Sequence, residues 1–157
     1  MHQTVERFQE RLRELGGTGE ARELPNSSHT ANEAAEALGT TVGQIIKSLV
    51  FLVGDKPIMV LASGSNQVDT EKLTILVGEP VGRAGAKTVR EATGYAIGGV
   101  PPVAHATNMR IFIDRDLLAH AELWAAAGTP NSVFPTNPDE LAAITRGEWA
   151  NIKVETF

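Results

Sequence analysis

The first stretch of the chain alternates apolar and charged residues with the period of a helix. Its four apolar positions recur every three or four residues: Val5, Phe8, Leu12 and Leu15. Most residues between them are Glu, Arg or Gln, and a glycine pair, Gly16-Gly17, comes directly after them. This pattern predicts an amphipathic helix that packs its apolar side on a core and ends at the glycines.

Four shorter helices are predicted further along the chain. The first begins at Thr30, which is followed by Glu33 in the spacing of a capping box, and it ends at Gly39. The last is capped either by Asn137 or by Asp139 in its first turn. The other predicted positions are a helix start within 68–73, a helix over 88–93 and the last helix over Pro138–Thr145.

Two neighbouring apolar runs, 48–53 and 57–62, predict a β-hairpin. They are rich in Val, Ile, Leu and Phe, and a Gly-Asp-Lys-Pro sequence joins them as a turn. Both faces of each run are apolar, which predicts a central position in a covered sheet. Further strands are predicted at 21–24, Arg110–Asp114, 124–127 and 132–134.

The order of these elements favours an α+β fold. Short strands and short helices interleave without a regular strand–helix–strand rhythm, which predicts a curved, mixed β-sheet flanked by short helices. The chain has 157 residues, the size of one domain, and shows no internal repeat or low-complexity linker. We therefore expect one domain over residues 1–157.

Composition excludes several kinds of protein. The chain has no cysteine and hence no disulfide, thiolate metal site or cysteine nucleophile, which suits the reducing cytoplasm. No apolar run approaches the ~20 residues of a membrane span, and the charged N-terminus lacks the apolar core of a signal peptide. The net charge of −5 argues against a protein that coats nucleic acid, and we expect neither a membrane nor DNA as a partner.

The motifs of common enzyme classes are missing from the sequence. It contains no G-x-S-x-G elbow, no phosphate-binding P-loop, no dinucleotide fingerprint and no H-E-x-x-H. The four histidines are scattered and lack the spacing of a metal site: His2, His29, His105 and His120. We therefore predict neither a metal ion nor a cofactor.

A lysine, Lys47, lies beside Ser48 at the start of the first hairpin strand. One interpretation is a lysine whose stem packs on apolar surface while its ammonium reaches water. The other is a point charge that a rigid strand directs at a phosphate or at a developing oxyanion. The pattern by itself leaves both interpretations open.

Two glycines and two prolines lie together in the middle of the chain. In Gly98-Gly99-Val100-Pro101-Pro102, the glycines allow close approach to the main chain and the prolines stiffen the end of the segment. The segment is therefore either a sharp connection or a preorganised loop whose amides bind a carbonyl or a carboxylate.

Four ordered segments carry a family resemblance. They read QIIKSLVF, VDTEKL, TGYAIGGVPPV and LWAAAGTPNSVF…PDEL. Together they resemble the YbaK/EbsC family, relatives of the editing domain inserted in bacterial prolyl-tRNA synthetase, over roughly residues 25–152. The resemblance implies a barrel-like α+β core and hydrolysis of the ester of a wrongly aminoacylated tRNA. The family's lysine falls on Lys47, and its G-x-x-x-P loop falls on residues 98–102.

The residues themselves lead to a hypothesis for how the site acts. Lys47 is the expected catalytic residue, which grips the 3′-terminal adenosine and offsets oxyanion charge. A water attacks the ester, and a ribose hydroxyl of the substrate is the expected base. His29 lies with Thr30 at the expected entrance of the site. The expected substrate-binding residues are Thr30, Ser48, Gly98, Gly99, Val100, Pro101, Pro102 and His105.

A second hydrolytic site answers a physical limit on amino-acid selection. A synthetase pocket discriminates one methylene by only about 1–3 kcal/mol, so a separate site must destroy the wrong product. We expect a deacylase that acts in trans on tRNA(Pro) carrying alanine, 2-aminobutyrate or cysteine, with a prolyl-tRNA synthetase as a further candidate partner. The acceptor end needs few phosphate contacts, so the acidic net charge is compatible with this role.

Two alternatives to this deacylase remain open at this point. One is a non-catalytic protein of the same fold that binds tRNA ends or nucleotides, and the other is a regulatory protein that binds amino-acid-like ligands. Five cations form either a basic rim for the acceptor end or an ordinary set of solvated charges: Lys47, Lys72, Arg83, Lys87 and Arg90.

Overall fold

The computed structural model describes residues 2–25 and 29–155 of the chain. In this part, five α-helices are present: α1 Gln3–Glu14, α2 Ala31–Leu38, α3 Thr70–Val77, α4 Ala86–Thr93 and α5 Pro138–Thr145. The strands are β1 Arg22–Glu23, β2 Ile46–Val53, β3 Lys56–Ser63, β4 Val81–Arg83, β5 Arg110–Asp114, β6 Leu123–Ala126, β7 Ser132–Thr136 and β8 Glu148–Ala150. Two short 3₁₀ helices span Val42–Gln44 and Arg115–Ala119.

The strands form two sheets. The larger has the order β4-β2-β3-β5-β8 and is mixed: β2 pairs with β3 and β4 antiparallel, whereas β5 pairs with β3 and β8 in parallel. The smaller is antiparallel with the order β1-β7-β6. The predicted α+β class with a mixed sheet is confirmed, and within the described residues the strands do not close into a barrel.

The central hairpin of β2 and β3 is covered on both faces. Met59 and Leu61 of β3 belong to a core cluster that includes Phe8 and Leu12 of α1. The alternate residues of β3 face a second cluster that contains Leu73 of α3. The predicted central position of the hairpin is therefore confirmed, because both sets of alternating side chains are buried.

The predicted helices are present, with local signals at their ends. α1 ends before Leu15, which is 42% exposed, so its buried face stops at Leu12. The hydroxyl of Thr30 accepts a hydrogen bond from the Glu33 amide and caps α2. The Asn137 side chain accepts from the Glu140 amide, which makes Asn137 the cap of α5.

Sequence patterns did not reveal every strand. β4 and β8 were missed because each has only three residues, too few to show an alternating pattern. β1 has two residues rather than the four predicted over 21–24. β2 begins at Ile46, two residues earlier than expected, so Lys47 and Ser48 are already part of the paired strand.

No helix among the described residues combines the length and the apolar character that crossing a membrane requires.

Candidate functional site

A cavity of about 590 Å³ opens along one edge of β2. β4 pairs only with the far end of this strand, at residues 51–53, and at the near end Ile45 forms an isolated bridge with Trp124 of β6. The cavity lies between these two contacts. Its walls come from β2, the start of α2, the glycine loop at 97–100 and the β6–β7 hairpin.

Lys47 lines this cavity from a rigid position. It pairs with Ala62 in the β2–β3 ladder, and its side chain is half-buried. Its Nζ donates a hydrogen bond to the main-chain carbonyl of Asn66 at 2.5 Å. Burial lowers the pKa of Lys47, and the negative charge of Asp114 partly opposes this shift. The ammonium is therefore held by a neutral acceptor, next to the cavity.

Ser48 is the next residue of the same strand and also lines the cavity. Its Oγ is buried and has no hydrogen-bond partner among the described residues. The Gly64 amide donates to the Ile45 carbonyl, which makes these two residues a hydrogen-bonded pair of the ladder. Because such pairs alternate, the amide and carbonyl of Ser48, opposite Leu61, point away from β3 and toward the cavity edge of β2.

The glycine loop requires both of its glycines. Gly98 has φ +91°, a conformation that side chains disfavour, and it lines the cavity together with Val100. A Cβ on Gly99 would lie 2.8 Å from main-chain atoms of Thr129, so this glycine allows the loop to pack against the β6–β7 turn. The Gly99 amide donates to the Ala96 carbonyl at 3.0 Å and is therefore already engaged within the loop.

Three of the expected substrate-binding residues lie behind this loop. Pro101 and Pro102 are buried, and neither they nor His105 line the cavity. Nε2 of His105 lies 2.7 Å from the Pro101 carbonyl oxygen, and burial lowers the pKa of this histidine. The geometry suits residues that support the loop from behind; direct contact of these three with a substrate stays a prediction.

Of the five cations considered for a basic rim, only two line the cavity. Arg83 of β4 lines the cavity with Lys47, and it is exposed. Lys72 instead makes an ion pair of 3.0 Å with Glu155, and Lys87 lies 3.9 Å from Glu91. Neither of these two lysines lines the cavity, and nor does Arg90.

The cavity has a positive character although the whole chain is acidic. Among the described residues that line it, Lys47 and Arg83 have cationic side chains and none is Asp or Glu. His29 and Thr30 line it just before α2, and their expected place at the entrance of a substrate site stays a prediction. A lining of this kind favours an anionic ligand such as a phosphate, and it contains no carboxylate that could act as a general base.

The β6–β7 hairpin contributes walls that sequence reasoning missed. Trp124, Ser132 and Val133 line the cavity, and so does Pro130 in the turn between the strands. The two strands were predicted, but nothing in their pattern shows that they lie opposite β2. Within the described ranges, no group of three or more His, Asp or Glu side chains is arranged to hold a metal ion.

Comparison with known sequences identifies related proteins. A model of the aminoacyl-tRNA editing domain matches residues 25–144. The chain is 32% identical over 132 residues to the uncharacterised protein YwhH of Bacillus subtilis (strain 168), and the match covers 83% of this chain and 84% of YwhH. It is 34% identical over 149 residues to the proline–tRNA ligase of Limosilactobacillus fermentum. This second match covers 88% of the chain but only 24% of the ligase, so the chain spans about a quarter of that relative.

Comparison with solved structures identifies proteins that share the fold of this chain. A protein described as a candidate trans-editing enzyme for prolyl tRNA synthetase superposes with a TM-score of 0.95 and 46% identity, over 99% of both chains. The hypothetical protein APE2540 superposes with a TM-score of 0.87 and 31% identity, over 97% of this chain and all of its own length.

Proposed function

This chain belongs to the aminoacyl-tRNA editing domain family, as its sequence motifs indicated, and from this membership we propose that it hydrolyses the ester of mischarged tRNA in trans. The proposed substrate is tRNA(Pro) that carries alanine, 2-aminobutyrate or cysteine. The observation that carries the proposal is one cavity that brings Lys47 and Ser48 of β2 together with Gly98 and Val100. Such a substrate is found in the cytoplasm, where we expect the protein to act.

The cavity supplies binding and electrostatics rather than a nucleophile. An aminoacyl ester is already reactive, so its hydrolysis needs a positioned water, a polarised carbonyl and a grip on the terminal nucleotide. The described lining contains no carboxylate, and the chain contains no cysteine. We propose that a ribose hydroxyl of the substrate assists the attacking water.

Each lining residue has a proposed role in this reaction. Lys47 binds the oxygens of the 3′-terminal adenosine and offsets the charge that develops on the ester oxygen. The Gly98 and Val100 main chain faces the aminoacyl group, and the Ser48 main chain, at the unpaired edge of β2, offers further hydrogen bonds to it. The Gly99 amide is engaged with Ala96, so it supports the loop and is not assigned a substrate contact.

A deacylation assay tests the proposal directly. The purified protein is mixed with tRNA(Pro) charged separately with alanine, 2-aminobutyrate, cysteine and proline, and loss of the ester is measured over time. We expect faster loss than in buffer for at least one of the three wrong amino acids and no acceleration for proline. The alanine, 2-aminobutyrate and cysteine arms identify which side chain the cavity accepts.

A binding measurement on the same samples separates the alternatives. If none of the esters is lost faster than in buffer while charged or uncharged tRNA still binds, the protein is a non-catalytic binder of tRNA ends. If free amino acids or nucleotides bind and tRNA does not, a regulatory role is supported instead. Addition of a prolyl-tRNA synthetase shows whether this proposed partner changes the rate.

A further inference from the structure

We propose that Asn66 is a positioning residue for Lys47. Its main-chain carbonyl accepts the hydrogen bond from the Lys47 ammonium, and its side chain fixes that carbonyl in place. The inference rests on the function proposed for Lys47 and adds a residue that does not line the cavity.

The side chain of Asn66 is held by two carboxylates. Its Nδ2 donates to Oδ2 of Asp114 and to Oδ2 of Asp116, each at 2.9 Å. Its own amide donates to the Ser63 carbonyl at 3.0 Å, which closes the turn after β3. Three hydrogen bonds from one residue, two of them charge-assisted, fix the direction of its carbonyl.

The anchor of this arrangement is a buried charge at the end of β5. Asp114 is 1% exposed, and its carboxylate accepts hydrogen bonds from the amides of Ser63 and Asp116 as well as from Asn66. A buried carboxylate that is fully hydrogen-bonded has one stable position. Asn66 therefore connects a fixed point of the large sheet to the ammonium of Lys47.

A carbonyl is a suitable partner for a cation that must act on a substrate. It orients the ammonium without cancelling its charge, whereas a carboxylate at the same place would neutralise it. Asp114 acts on Lys47 through its field and forms no ion pair with it among the described residues, while Asn66 is hydrogen-bonded to both. The site therefore keeps one oriented positive charge that is available to a phosphate or an oxyanion.

A double-mutant cycle distinguishes positioning from general structural support. Single-turnover deacylation, with protein in excess over mischarged tRNA, is measured for Asn66→Ala, Lys47→Ala, the double variant and the parent. We expect Asn66→Ala to lower the rate about tenfold, because the carbonyl remains but its direction is no longer fixed. In the Lys47→Ala background, the same substitution should change the rate less than about twofold, since the two residues act as one unit.

Two further variants make the result specific. Asn66→Ser can donate to one carboxylate only, and we expect an intermediate rate; it also replaces Asn66→Ala if that variant melts below the assay temperature. Lys153→Met removes the 2.8 Å ion pair with Asp116 but leaves Asn66 intact, and we expect the parental rate.

The outcomes separate this inference from the proposed function. If Lys47→Ala lowers the deacylation rate while Asn66→Ala keeps the parental rate, only the role proposed for Asn66 is wrong. Equal losses from Asn66→Ala in both Lys47 backgrounds also overturn it, because they indicate a structural effect. A parental rate for Lys47→Ala overturns the function proposed for Lys47, and the role of Asn66 with it.

Discussion

Lys47 and Lys72 lie in two regions of the molecule that give the lysine ammonium different partners. Each ammonium donates to a main-chain carbonyl: Lys47 to that of Asn66 at 2.5 Å, and Lys72 to that of Lys153 at 2.7 Å. Lys72 also contacts Glu155 at 3.0 Å and Asn151 at 3.1 Å. Among the described residues, no carboxylate forms an ion pair with Lys47.

The difference shows that environment, not residue type, decides which lysine can act on a ligand. The charge of Lys72 is balanced by Glu155, and its three partners tie α3 to the chain after β8. The ammonium of Lys47 is not balanced by a carboxylate, because its hydrogen-bond partner is a neutral carbonyl and because the described lining of the cavity has no Asp or Glu. The comparison therefore predicts large functional effects at one lysine and small ones at the other.

The largest expected effect comes from replacing Lys47 with alanine, and the same replacement of Lys72 is the matched control. Lys47→Ala should lower the single-turnover deacylation rate by about 10²–10³, as removal of a single oxyanion-stabilising donor does. Lys72→Ala should leave the rate within about twofold of the parent, because Lys72 lies outside the cavity lining and is paired with Glu155. Thermal melts of both variants confirm folding. Similar losses from both substitutions would contradict the distinction between the two regions.

A smaller effect is expected from the second cation of the cavity. Arg83→Ala should weaken tRNA binding by about 1 kcal/mol, roughly fivefold, if its exposed guanidinium contacts a phosphate. The slope of log affinity against log salt should also fall by about 0.7, the value for one phosphate of a single strand. Lys87→Ala is the matched control, since Lys87 is exposed near Glu91 and does not line the cavity. An unchanged salt slope in Arg83→Ala would exclude the phosphate contact.

The smallest expected effect concerns the protonation of Lys47. Burial lowers the pKa of Lys47, whereas hydrogen bonding to Asp116 raises the pKa of Lys153. As the pH rises, Lys47 should lose its proton before Lys153 does, which ¹³Cε chemical shifts of labelled lysine report, with Lys47→Met and Lys153→Met assigning the signals. The part of the rate that depends on Lys47 is obtained by subtracting the rate of Lys47→Ala from that of the parent. This part should fall over the same pH range.

The lowered pKa of Lys47 also predicts how the stability of the protein changes with pH. A lowered pKa means that the unfolded chain binds this proton more tightly than the folded chain does. The contribution of Lys47 to the free energy of unfolding should therefore rise as the pH increases through its lowered pKa. Urea unfolding of the parent and of Lys47→Met over this pH range measures the difference; no difference in pH dependence would contradict the effect of burial.

Local patterns were sufficient for most elements of the fold. The spacing of Val5, Phe8 and Leu12 indicated α1, and side-chain caps such as Thr30 and Asn137 marked helix starts, because these signals act between residues that are close in sequence. The three-residue strands β4 and β8 were missed, since they exist only through pairing with β2 and β5.

The sequence by itself therefore determined the helices, the central hairpin and, through its ordered motifs, the family. It also pointed to Lys47 and the glycine loop. Only the tertiary structure decided which residues share one cavity, because β2, the loop at 97–100 and the β6–β7 hairpin meet across long stretches of chain. It likewise decided which lysine stays unneutralised: Lys72 meets Glu155, 83 residues away, whereas the ammonium of Lys47 meets the Asn66 carbonyl. Such long-range contacts depend on packing, which no local pattern encodes.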